Sequence, residues 1–163
     1  MSEQDAGPVS ARTLLLSRLC NEIVQVFKEH FGRGPTTARA AWLGPDALAV
    51  VLEGTFTAAE RGLVKLNQHE RLREIRGVFD YASVSQFCEP VERLTGRKVR
   101  AFVSGIDTQV DGLSVETFVL HPKDYDGPSR KDALGDEVGY TLSREPLAAE
   151  AHVCAQTSDV ENA

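Results

Sequence analysis

Arg33 stands between two glycines and a proline in the stretch FGRGPT, residues 31–36. A glycine-rich turn holds a phosphate well when it leads into a helix, because free N–H groups and the positive end of the helix dipole then face the anion. Here the order is reversed. A helical pattern precedes the glycines, so the groups oriented toward them are carbonyls, which repel anions. The spacing fits neither the P-loop nor the dinucleotide fingerprint. Gly32, Gly34 and Pro35 therefore read first as a helix stop. Arg33 remains able to pair with a carboxylate or a phosphate.

Lys65, His69, Arg73 and Arg76 recur at helical spacing and predict a basic stripe along one helix. Glu70 and Glu74 lie close enough to neutralise part of it, so a solvated face is the first reading. The functional reading is a docking strip for an acidic partner, or for the acidic tail of the chain itself. A second grouping, Arg33, Arg39, Arg76 and Arg97, could gather around a small anion or a nucleotide. Asp107 and Asp111 flank the last connection, but two carboxylates supply too few oxygens for Mg²⁺ or Ca²⁺. They read as turn residues, and no metal is expected. Arg100 and Glu116 are expected to be cross-strand neighbours.

Catalysis has little to work with. His30, His69, His121 and His152 are scattered, each without a carboxylate at a motif spacing. Cys20, Cys88 and Cys154 form no CxxC pair and suit reduced, intracellular thiols, with the first two as small core residues. No G-x-S-x-G or H-E-x-x-H occurs. The expectation is a non-enzyme with no catalytic residue and no cofactor.

The elements that must position these side chains follow from periodicity. Leu16, Leu19, Ile23, Val26, Phe27 and Phe31 mark one stripe of a helix from about Thr13 to His30. "ARAAWL" and "ALAVVLE" flank Gly44-Pro45-Asp46 and predict a hairpin. Thr57 and Glu60 form a capping box that starts a long helix, with Leu63, Leu66, Leu72, Ile75, Phe79 and Ala82 inward and a break near Asn67. A second box, Ser83 to Gln86, opens a helix that Pro90 should bend or delay and that ends at Gly96. "RKVRAFVSG" and "GLSVETFVL" then supply two strands.

The resulting order is α-β-β-α-α-β-β, an α+β fold with a four-stranded, mainly antiparallel sheet and helices on one face. "LAVVL" is apolar on both faces of its strand, and one helical layer covers only one. A second protomer or a tail helix is therefore expected on the other face. The organisation predicted is a flexible N-terminus at 1–12, a domain at 13–122 and an acidic, disordered tail at 123–163. "REPLAAEAHVCA" could form a short helix within that tail.

The 163 residues carry a net charge of −6. His121–Ala163 holds four basic and nine acidic residues, a net −5, which leaves −1 for Met1–Leu120. Neither part has the basic excess of a nucleic-acid binder. Part of the element order is reminiscent of a KH topology, but "KLNQHERL" offers no G-x-x-G clamp. No run of about 18 apolar residues occurs, so membrane insertion is not expected. The amino terminus lacks a basic-then-apolar signal pattern, and a cytoplasmic location is expected.

Taken in order, "NEIVQVFKEHFGRGPTTARA", "LEGTFTAAERGLV", "REIRGVF", "VERLTGRKVRAFVSGID" and "VETFVLHP" resemble the MpsC-type domain family, over about residues 14–122. The family takes its name from a Na⁺-translocating, membrane-potential-generating system. The resemblance implies a small α+β module without an established catalytic site. The chain shows neither a transmembrane segment nor a buried ionisable relay in its sequence, so it would serve such a system as a cytosolic subunit or regulator. The expectation is a dimeric accessory module for a membrane ion or inorganic-carbon system, with a membrane-protein or acidic partner.

Overall fold

Leu19, Ile23 and Phe27 succeed one another at four-residue spacing, and the helix built on them buries all three. The computed structural model describes residues 8–134. In it α1 runs Pro8–Phe31, so the helix begins five residues before Thr13, inside the stretch expected to be flexible. Its end is as predicted. Gly32 sits at φ 74° with its N–H on the Lys28 carbonyl, the left-handed geometry that closes a last turn and that glycine adopts at no steric cost.

The hairpin follows as β1 (Thr37–Trp42) and β2 (Ala47–Glu53), closed by a hydrogen bond from Leu43 N to the Ala47 carbonyl. The last two strands, β3 (Val99–Ile106) and β4 (Ser114–Leu120), complete a four-stranded antiparallel sheet in the order β1-β2-β4-β3. Register puts Trp42, Leu48, Phe118 and Phe102 in one row on the helix side, and Ala40, Val50, Glu116 and Ser104 in the next. An irregularity between Val99 and Ala101 absorbs Arg100. Because of that bulge Val99 turns inward and is fully buried rather than sharing the outer face with Ala101 and Val103.

Thr57 and Glu60 form the predicted capping box, with Thr57 N to Glu60 Oε2 at 2.7 Å and Glu60 N to Thr57 Oγ1 at 3.2 Å. The helix that starts there is α2 (Ala58–Lys65), and α3 (His69–Ala82) resumes after a break at Asn67, whose φ is 55°. Next comes α4 (Val84–Thr95), capped by left-handed Gly96. One expectation fails here and another is narrowed. Ser83 makes no capping bond, because its hydroxyl donates instead to the Phe79 carbonyl at 2.6 Å and meets His30 Nδ1 at 3.2 Å. Pro90 does not delay the start, since it lies buried inside α4.

The core lies between α1, α4 and the inner face of the sheet. Phe87, Phe102 and Phe118 stack in series with centroids 5.5 and 5.0 Å apart. Each fully buried aliphatic or aromatic side chain stabilises the fold by about 1.5–3 kcal/mol relative to exposure. Residues 123–134, expected to be disordered, pack against this core instead. Arg130 N donates to the Val99 carbonyl at 2.7 Å, Lys131 pairs with Glu92 at 2.8 Å, and Ser129 is buried. The "REPLAAEAHVCA" expectation falls outside the described residues.

Gly112 is one position where the fold needs glycine. Its φ is 75°, and a Cβ there would lie 2.7 Å from the Phe56 ring, while its carbonyl accepts from Thr55 Oγ1. Gly112→Ala should therefore destabilise the domain by about 1–3 kcal/mol in urea denaturation. An unchanged midpoint would contradict this packing.

Candidate functional site

An amphipathic helix ordinarily turns its apolar stripe inward, and α3 does not. Leu72 is buried as predicted, but the positions that continue its inward line are Arg76, half-buried Asp80 and buried Ser83. The apolar residues point outward. Ile75 is 40% exposed, Val78 64%, Phe79 45% and Tyr81 49%. Ile75, Phe79 and Ala82 were expected inside, as was Leu66, and all four are exposed. The helix sits with its charged side on the sheet.

Arg76 makes this seating possible. Only 2% exposed, it donates from Nε and Nη2 to the two oxygens of Glu60, and from Nη2 to the carbonyl and hydroxyl of Thr55 at 3.2 Å. Its guanidinium lies over the rings of Phe27 and Phe31, 5.2 and 4.2 Å from their centroids. Burial drives the Glu60 carboxyl upward, but the Arg76 and Thr57 hydrogen bonds outweigh it and hold the pKa below the ordinary value. The capping residue of α2 is thus also the counter-ion of α3. A buried pair of this kind is costly to break, because either partner alone would remain as an uncompensated charge.

Beyond Arg76 lie two further carboxyls. Glu116 is 1% exposed, and its Oε1 accepts from Ser114 Oγ at 2.7 Å while Oε2 has no hydrogen-bond partner. Ser104, its cross-strand neighbour, lies against both Glu116 and Asp80. Burial raises the Asp80 carboxyl against the opposing influence of Ser104 and Arg76. Burial and then the charge of Asp80 push Glu116 up to about 7. Arg100, expected beside Glu116, is exposed at the β3 bulge and does not face it. Glu60, Arg76, Asp80 and Glu116, drawn from three elements, thus influence one another electrostatically, a grouping that the sequence reading did not anticipate. One signal was available. Strand alternation places Glu116 on the same face as Phe118 and Leu120.

The remaining predicted residues are not gathered into one site. Lys65 ends α2 and is separated from the others by the Asn67 break. His69 Nδ1 and Arg73 Nη1 each meet Thr108 Oγ1 at 3.1 Å, beside an open cleft of about 520 Å³ that Arg73 and residues 105–109 line. Arg33 donates to the Phe56 carbonyl and Arg39 pairs with Glu53. Arg97 donates to the carbonyls of His121 and Pro45, at the opposite end of β2 from Phe56. Of the four arginines proposed to surround an anion, Arg33, Arg39 and Arg76 reach residues 53–56 while Arg97 lies apart, and each is engaged with a group of the chain itself. Asp107 holds Gln109 N at 2.8 Å, the turn role expected of it. Buried Cys88 is pushed up to about 12 by its burial and by Glu92, far from a reactive thiolate.

The outer face of the sheet is largely apolar. Register aligns Ala41, Ala49, Thr117 and Val103 in one row and Arg39, Val51, Val115 and Gly105 in the next. Val103 is 62% exposed, and no described element covers this face.

A family model described as Na⁺-translocating membrane potential-generating system (MpsC) matches residues 11–122. Comparison with curated proteins and with solved structures gave no significant match. Among the described residues no helix is long and apolar enough to cross a membrane.

The raised Glu116 carboxyl has a consequence for stability. Its folded pKa exceeds its unfolded value near 4.5, so the stability of the neutral form is full below about pH 4.5 and is lost as pH rises through about 7. The loss should approach about 1.4 kcal/mol per pH unit within that window. Glu116→Gln should flatten the stability profile measured by urea denaturation from pH 4.5 to 8. An unchanged profile would show that Glu116 does not titrate there.

Proposed function

The chain belongs to the MpsC family, and we propose that it serves a Na⁺-translocating, membrane potential-generating system as a non-enzymatic, cytoplasmic accessory or regulatory module that works as a dimer. The observation that carries this reading is the amount of apolar surface left outward by a small domain. One such surface is the open sheet face around Val51, Val103, Val115 and Val119, and the other is the outer stripe of α3. Surfaces of this kind on a single chain mark contacts with other proteins. The family description supports a Na⁺-translocating system as the setting.

Among the described residues Arg73 pairs with no carboxylate, and its position at the cleft beside His69 and Thr108 favours one second reading. That cleft would receive an acidic group, either from a partner protein or as a small anion. Thermal-shift screening with carboxylates, phosphates and nucleotides tests the small-anion form. A ligand at 100 times its dissociation constant should add about 2.7 kcal/mol. No shift across the panel retires it.

Two measurements test the main reading together. Light scattering should give twice the chain mass, and affinity capture from native membranes should recover an ion-translocating membrane protein. Val103→Glu, at an exposed position of the open face, should leave the fold intact by circular dichroism and reduce one of these two associations. A monomer that captures nothing but itself contradicts the proposal.

A further inference from the structure

The two edges of the sheet are unlike. β3 is blunted at its start: a bulge absorbs Arg100, Glu92 accepts from Val99 N at 2.9 Å, and Arg130 N donates to the Val99 carbonyl at 2.7 Å. Bulges and covering segments keep an edge from pairing with other chains. β1 has neither. It pairs with β2 over six residues in unbroken register and contains no proline. Leu43 N bonds to the Ala47 carbonyl, and the alternation that continues from this pair also aims Ala41 and Arg39 at β2. Ala38, Ala40 and Trp42 therefore turn their N–H and C=O groups off the free side of the sheet.

Along that edge α1 leaves an open groove of about 330 Å³ against Ala38 and Ala40. Thr13, Ser17 and Asn21 line it from exposed positions four residues apart, with Leu16 and Cys20 half-buried behind them. Such a row of short side chains lets a second helix approach closely. In a chain of which 26% is charged, the groove has one charged side chain, Arg39, and Glu53 pairs with it. We propose that two copies of the chain join here, β1 against β1 in antiparallel sense, with their α1 helices side by side.

Symmetry selects a second copy as the occupant. A two-fold contact sets one patch against itself, so an uncompensated charge near the axis would meet its like. This strip is neutral and avoids that. With Ala40 at the axis, Ala38 faces Trp42 of the second copy on the helix side, small against large, and Arg39 faces Ala41 on the outer side. The outward stripe of α3 is less suited to self-pairing, because Glu70, Arg71, Arg73 and Glu74 are exposed on the same helix. The proposal rests on the dimeric reading above and gives that dimer its interface. Two four-stranded sheets then become one of eight strands, and the open sheet face and α3 stripe of both copies stay free for a partner.

Light scattering of the full chain, read together with the emission of Trp42, its one tryptophan, tests this. On dilution the native chain should fall from twice the chain mass to the single mass, and the emission should shift to the red in step. Ala40→Pro removes an N–H aimed off the edge and spares the β1–β2 ladder. Ser17→Glu, at an exposed helix position, sets two like charges against each other near the axis. Each should raise the dimer dissociation constant by about tenfold or more with unchanged circular dichroism, and Ser17→Glu decides alone if Ala40→Pro does not fold. Val103→Glu should leave the dimer in place. A dimer that survives Ser17→Glu, whether or not Val103→Glu breaks it, overturns this interface while the dimeric reading stands. A native chain that is monomeric at every concentration overturns both.

Discussion

The seating of α3 depends on one buried ion pair. Arg76 cannot enter the interior unless its donors are met, and Glu60 and Thr55 meet them while the guanidinium lies over the neighbouring rings of Phe27 and Phe31. Arginine suits this place because its flat, delocalised charge stacks on aromatic rings and forks onto a carboxylate. Glu60 in turn is fixed by the capping box with Thr57, so the start of α2 and the rotation of α3 are set by the same side chain. A pair so placed contributes little net stability relative to an apolar isostere, but it discriminates between rotations of the helix.

Once that rotation is set, two consequences follow. The polar line of α3 brings Asp80 to Ser104 and Glu116, which places a polar cluster inside a domain of otherwise ordinary composition. Its apolar line, Ile75, Val78, Phe79 and Tyr81, is left outward. Both outcomes depart from the usual division of a domain into an apolar inside and a polar outside. Local departures of this sort concentrate at functional positions. The outer sheet face adds a second outward apolar surface, and there the cause is simpler: one layer of helices covers one side of a sheet.

Much of this architecture was legible in the sequence. The glycine stop after α1, the capping box at Thr57, the turn around Pro45 and the left-handed cap at Gly96 all act through backbone geometry that a few residues determine. The family match over residues 11–122 agrees with the resemblance carried by those same motifs. The interior of α3 was not legible, because periodicity assumes that apolar residues face the core. In "HERLREIRGVFDYA" the stripe of Ile75, Phe79 and Ala82 is as regular as the line of Leu72, Arg76 and Asp80. Only tertiary partners, distant in sequence, decide between them. Glu116 was within reach, since strand alternation alone puts it with Phe118, whereas the bulge that displaces Arg100 has no signature in "RKVRAF".

The account turns on whether Glu60 and Arg76 act as a single unit that sets α3. A double-mutant cycle with Glu60→Gln, Arg76→Met and the pair, followed by urea denaturation, measures this directly. Each single change should be strongly destabilising and the double much less so than their sum, with a coupling of about 1–3 kcal/mol. Additive effects, within about 0.5 kcal/mol, would mean that the two side chains do not depend on each other. The inward placement of the charged side of α3 would then need another cause.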